Sequence, residues 1–174
     1  TGTAAVGNTL SVNEDSVDPD GTGTLSYSWQ TSSDGNTWKE VGTSSIYTLA
    51  TSEEGKKIRA VISYKDGQGF DEIVPTAPLD IPYVNNGKAS FSVNGTAEVG
   101  NTLSVNENSA DPDGTGNLSY SWQSSSNDSN WSEISKSSTY TLTSTEEGKY
   151  IKAVISYTDD EGFSETVTTS TSNI

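Results

Sequence analysis

The chain contains no cysteine, no histidine and no methionine, and only 9 of its 174 residues are Lys or Arg. Without cysteine there is no disulfide, thiolate metal site or thiol nucleophile. Without histidine the commonest general base, the usual zinc and copper ligand and every Ser-His-Asp or Cys-His arrangement drop out. The scarcity of basic residues, set against 24 acidic ones, leaves a net charge of −15 and no basic cluster, a field that repels nucleic acid. No apolar run approaches the length of a membrane-spanning helix, so no membrane insertion is expected. No signal peptide opens the chain and position 1 is Thr, which gives the expectation of a fragment from a longer protein.

What is present is repetition. Tyr27, Trp29, Trp38 and Phe70 recur as Tyr120, Trp122, Trp131 and Phe163, each 93 residues further on. Residues 1–81 align with 94–174 without a gap, and roughly 50 of the 81 pairs are identical, as duplication of a folding unit produces. Two domains are expected, residues 1–84 and 85–174, each about 80 to 90 residues long. Domains this small bury a modest share of their surface and are often stapled. With disulfides excluded, bound metal is the staple left. Repetition also tilts against catalysis, because a spacer or multivalent binder gains from each added copy and an enzyme seldom does. No enzyme is expected.

Short alternating segments separated by Gly, Asp, Asn and Ser indicate an all-β sandwich. Thr9–Val12, Leu25–Trp29, Ser45–Leu49 and Ile58–Tyr64 alternate so that Leu10, Leu25, Tyr27, Trp29, Tyr47, Leu49, Ile58, Ala60, Ile62 and Tyr64 face inward. The second copy supplies Leu103, Val105, Leu118, Tyr120, Trp122, Tyr140, Leu142, Ile151, Ala153, Ile155 and Tyr157. Asp34-Gly35-Asn36 tolerates positive φ and predicts a hairpin, which Asn127-Asp128-Ser129-Asn130 repeats without the glycine. Glu53-Glu54-Gly55 and Glu146-Glu147-Gly148 read as a tight crossover, and last strands are expected near Phe70–Val74 and Phe163–Val167. Residues 77–88, with Pro78 and Pro82, read either as a stiff linker or as part of a longer final strand. A strand at Ala89–Val93 opens the second domain and has no counterpart ahead of Thr1, so the first domain is expected to lack that edge strand.

A Trp in an early central strand, followed by an acidic-Gly crossover into a long alternating strand, resembles an immunoglobulin-like sandwich. Leu10 or Val12, with Ala60, would stand where antibody-type domains place the inter-sheet disulfide. More narrowly, Val6-Gly7-Asn8-Thr9-Leu10, Asp18-Pro19-Asp20-Gly21-Thr22-Gly23-Thr24-Leu25-Ser26-Tyr27-Ser28-Trp29-Gln30, Tyr47-Thr48-Leu49 and Glu54-Gly55-Lys56-Lys57-Ile58 resemble the tandem repeats of large bacterial surface and RTX-type adhesins. That resemblance covers nearly all of both copies. It implies an extracellular, cell-surface and calcium-rich setting, with neighbouring repeats of the same chain as partners and a role in extending a binding domain away from the cell.

Asp18-Pro19-Asp20-Gly21-Thr22-Gly23, repeated as Asp111-Pro112-Asp113-Gly114-Thr115-Gly116, is the candidate calcium site. Carboxylates two residues apart can converge on one hard cation, and the loop begins like an EF-hand. It does not finish like one, because Trp29 or Trp122 stands where the bidentate Glu belongs. Further ligands would come from Glu14, Asp66 and Asp71 in the first copy, or Glu107, Asp159 and Asp160 in the second. The same tetrapeptide is a favoured turn without any metal. Trp38 and Trp131 either stack on sugar rings or cover an edge of the sandwich. The sequence thus predicts an extender repeat of a secreted surface adhesin, with a carbohydrate- or protein-binding module as the alternative.

Overall fold

The computed structural model describes residues 1–174, which form 15 strands, one short 3-10 turn and no α-helix. Two compact units emerge, Thr1–Val84 and Asn85–Ile174. Unit 1 contains β1 (Thr9–Ser11), β2 (Ser26–Ser32), β3 (Lys39–Gly42), β4 (Ile46–Thr48), β5 (Lys57–Lys65), β6 (Asp71–Pro75) and β7 (Leu79–Asp80). Unit 2 contains β8 (Ser90–Asn94), β9 (Thr102–Ser109), β10 (Ser119–Ser125), β11 (Ser132–Ser135), β12 (Thr139–Thr141), β13 (Tyr150–Thr158), β14 (Ser164–Thr168) and β15 (Ser172–Asn173). Each unit is an antiparallel β-sandwich without a disulfide. Its larger sheet runs β3-β2-β5-β6 or β11-β10-β13-β14, with β7 or β15 also on the central strand. The second sheet is β1-β4 in unit 1 and β12-β9-β8 in unit 2.

Alternation along the strands builds the cores. Leu10, Trp29, Leu49, Ile58, Ala60 and Ile62 are buried in unit 1, as are Leu103, Trp122, Leu142, Ile151, Ala153 and Ile155 in unit 2. Each buried Leu or Ile contributes about 1.5–3 kcal/mol. The tryptophans also need a partner for their indole N–H. Trp29 donates to the Ser44 carbonyl at 2.9 Å and Trp122 to that of Ser137 at 3.0 Å. Their rings stack on Tyr47 and Tyr140 at centroid separations of 5.9 and 6.4 Å.

The segment expected as a linker is largely part of unit 1. Leu79-Asp80 pairs with Lys57-Ile58 along the edge of β5 that β6 occupies further on, and Ile81 is only 2% exposed. Of the two readings open for residues 77–88, the longer final strand holds for Leu79-Asp80 alone, and residues 81–88 form no strand. Its break has a local cause at Thr76, whose N–H donates to the Ala60 carbonyl at 2.8 Å while its hydroxyl accepts from the Ala60 N–H at 3.0 Å. Thr169 and Ala153 repeat both bonds, each at 3.0 Å. One threonine thereby satisfies the central strand across a bulge. Prolines 78 and 82 sit beyond it, where no ladder hydrogen bond is required.

The crossover contains the 3-10 turn Thr51–Glu53 in unit 1. Its first Glu is a buried anchor. Glu53, 4% exposed, accepts the Ala50 N–H at 2.8 Å and the Tyr47 hydroxyl. Glu146 accepts the Thr143 N–H and hydroxyl at 3.0 and 2.8 Å. Burial pushes the Glu146 carboxyl up, but those bonds and the Tyr140 hydroxyl outweigh it and hold the group below its usual range. In the hairpins, positive φ falls on Gly35 and on Asp128. Asp34 accepts the N–H groups of Asn36 and Thr37 at 2.8 and 2.7 Å, and Asn127 accepts those of Ser129 and Asn130 at 3.1 and 2.9 Å. A shared side-chain turn thus survives an almost complete change of residues.

Candidate metal centre

The Asp-Pro-Asp-Gly loop folds on itself first. In unit 2 the Asp113 N–H donates to Asp111 Oδ1 at 2.9 Å, and the Gly114 N–H to the Asp111 carbonyl at 3.1 Å. The loop then meets the turn after β13. Gly116 permits that approach, since a Cβ there would lie 2.0 Å from the Thr158 carbonyl oxygen. The Asp160 N–H reaches the Asp113 carbonyl at 3.3 Å. Asp159, on this second turn, accepts the N–H groups of Glu161 and Phe163 through Oδ1 at 3.0 and 2.8 Å.

Carboxylate oxygens of Asp111, Asp113 and Asp159 consequently lie within 4.8 Å of one another. Asp111 and Asp159 are buried and Asp113 is half-buried. Oxygens spaced this way can surround one hard cation, because calcium–oxygen bonds of about 2.3–2.6 Å put opposed ligands about 5 Å apart. Asp159 Oδ2 is the decisive atom: it is buried and has no hydrogen-bond partner. Such a carboxylate oxygen is costly unless something positive meets it. The ion pairs Lys57–Asp80, Lys65–Asp71 and Lys136–Glu133 all lie elsewhere. Asp160 adds charge close by, since a Cβ on Gly114 would lie 2.3 Å from its Oδ2. The cluster could therefore hold a metal ion.

Neighbouring groups hold the carboxylates in place. The Tyr157 hydroxyl donates to Asp111 Oδ2 at 2.7 Å and accepts the Ala89 N–H at 2.7 Å. Burial, then the Asp111 carboxylate, pushes the Tyr157 phenol up to about 12. Asn86 donates its backbone N–H and side-chain amide to the two oxygens of Asp113 at 2.5 and 3.0 Å. The first residues of unit 2 are thereby fastened to its acidic loop.

Unit 1 brings the same loops together but gives the carboxylates other partners. Asp18 accepts the Asp20 N–H at 2.9 Å and the Tyr64 hydroxyl at 2.8 Å, and Asp66 accepts the N–H groups of Gln68 and Phe70 at 2.9 and 2.8 Å. The Gln68 amide donates to Asp20 at 2.7 Å. Position 68 is Glu161 in the second copy and position 67 is Asp160, so the turn that is Gly-Gln in unit 1 carries two carboxylates in unit 2. Of the further ligands considered, Glu14 and Glu107 accept the Thr22 and Thr115 hydroxyls at 2.8 and 3.1 Å, and Asp71 pairs with Lys65 at 2.7 Å. Asn86 and Tyr157 escaped the sequence reading, which placed one in a turn and the other simply facing inward. The sequence difference between the copies at positions 67 and 68 signals only the extra carboxylates of unit 2, Asp160 and Glu161.

Trp38 and Trp131 are half-buried, and each has a cation over its ring. The Arg59 guanidinium carbon stands 4.1 Å from the Trp38 centroid and Lys152 Nζ stands 3.9 Å from that of Trp131. One face of each ring is thus engaged by its own domain.

No protein-family model matches the chain, and no curated protein matches it.

Proposed function

We propose that the chain is a pair of immunoglobulin-like extender repeats from a secreted bacterial surface adhesin, with calcium held in the second unit. The observation that carries this reading is the retention of the interior. Leu10, Trp29, Ile58 and Ala60 recur as Leu103, Trp122, Ile151 and Ala153, all buried, whereas the surface hairpins at 34–37 and 127–130 share no residue. A module kept for its scaffold diverges in this way; one kept for a ligand at those hairpins would hold them constant. The arrangement also suits length built by addition of copies.

Asp111, Asp113 and Asp159 would hold the calcium, whose charge would offset their mutual repulsion. Because Asp113 also holds Asn86, occupancy would brace the segment that leads into unit 2. A cation that binds only the folded state at 100 times its Kd stabilises by about 2.7 kcal/mol. Thermal melts in millimolar calcium and in chelator test this part. A midpoint unmoved by calcium removes metal from the account.

The extender role is tested by display of the chain between a surface anchor and a reporter binding domain, where capture at a distance should depend on copy number and not on Trp38 or Trp131. Saturable binding of a glycan or protein, abolished in Trp38→Ala and Trp131→Ala, would instead establish a binding module.

A further inference from the structure

Strand β8 lies at the edge of its sheet, with β9 on one side only and a bulge that interrupts the pairing between Ser90 and Phe91. It nevertheless helps to close the core. Ala89, just ahead of the strand, and Phe91 within it are 2% and 7% exposed, and Phe91 meets Tyr157 edge-on at 6.3 Å. Short edge strands are among the elements that open first. What holds the entry to β8 comes from outside its sheet.

Two tethers fix that entry, and they land on different segments. Asn86 grips Asp113, on the acidic loop ahead of β10, through its backbone N–H and its side-chain amide at 2.5 and 3.0 Å. The Ala89 N–H donates to the Tyr157 hydroxyl, on β13, at 2.7 Å. Asn86 and Ala89 are three residues apart in sequence, which extended chain spans over at most about 11 Å. Both tethers therefore hold only while the loop and β13 stay together. The carboxylates oppose this, because Asp111 and Asp113 stand on the loop, Asp159 stands on the turn after β13, and their oxygens lie within 4.8 Å of one another. A cation shared by the three joins the very segments that the tethers need joined.

We propose, on the calcium reading above, that the site is a latch on β8: an ion held by Asp111, Asp113 and Asp159 keeps the strand seated, and its removal lets residues 86–94 detach from a unit that stays folded. Tyr157 is the positioning residue of the latch. Its hydroxyl accepts from Ala89 and donates to Asp111 at 2.7 Å, so that one oxygen touches both the strand's entry and a cation ligand. The coupling runs both ways, since whatever the ion adds to seating of the strand, the seated strand returns to binding of the ion.

The test is hydrogen exchange of the whole chain, read by mass spectrometry in saturating calcium and in chelator, with calcium binding measured separately by titration calorimetry. In chelator, protection of residues 86–94 should fall well below that of β10 in the same unit, and calcium should raise it about tenfold or more. Asn86→Ala and Tyr157→Phe each cut one tether, and at saturating calcium each should lose that gain. Equal protection of 86–94 and β10 in chelator overturns the proposal, because the strand then opens only with the whole unit. Full gain retained in either variant overturns it as well. Calcium that binds in the calorimeter yet leaves protection at 86–94 unchanged defeats the latch and spares the calcium reading, whereas absence of binding defeats both.

Discussion

A phenol hydrogen-bonded to a buried carboxylate resists ionisation, and Tyr157 is such a phenol, raised to about 12 by burial and by Asp111. Its folded value exceeds the ordinary 10, so the stability it contributes is complete below pH 10 and is lost as pH rises through about 12. Denaturant midpoints measured across that interval should fall, and Tyr157→Phe should flatten this part of the fall while weakening the fold at neutral pH. Asp159→Asn addresses the same site from the other side. Asn keeps the oxygen that serves Glu161 and Phe163 and removes the charge at Oδ2. The expected outcome is loss of the calcium-induced rise in melting temperature with no loss of stability in chelator, read by scanning calorimetry. Asp111 and Asp113 were legible in sequence because spacing within a turn dictates convergence. Tyr157 and Asn86 were not, since their roles arise from contacts 46 and 27 residues away in the chain.

At the scale of elements, the central strands β5 and β13 and their partners β2 and β10 were legible from alternation alone. The register of Trp29 opposite Ala60, and of Trp122 opposite Ala153, follows once both faces are assigned. The final strand was harder to read. Pro78 and Pro82 suggest a linker, and only the contact of Thr76 with Ala60 explains why the chain resumes pairing after its break. That contact is itself testable in unit 2, where Thr169→Val keeps the shape and removes the acceptor of the buried Ala153 N–H. The cost should be about 1–3 kcal/mol, measured as a lower urea midpoint at unchanged slope. The end of β1 was not legible, because residues 9–14 and 102–107 are identical and only the second stretch has β8 beside it. Local sequence does not determine an edge whose partner comes from elsewhere.

For the whole molecule, 24 acidic residues against 9 basic ones set up self-repulsion that salt relieves. The melting temperature should rise between 10 and 150 mM sodium chloride, and calcium should raise it further than sodium chloride does at equal ionic strength. An equal response would mean screening alone, with no bound ion. The buried position of Ile81 has a different consequence, in the timing of folding. Ile81 bonds through its N–H to the Lys56 carbonyl at 2.8 Å and closes the core of unit 1, and Ile174 does the same for unit 2 through Lys149 at 2.9 Å. Neither core is complete until that isoleucine has left the ribosome. Those two isoleucines are 93 residues apart, a delay of roughly 5 to 20 s at ordinary synthesis rates. Unit 1 thus has seconds in which to fold before its near-copy is complete. The order of synthesis gives unit 1 the chance to pair its own strands before their near-copies exist.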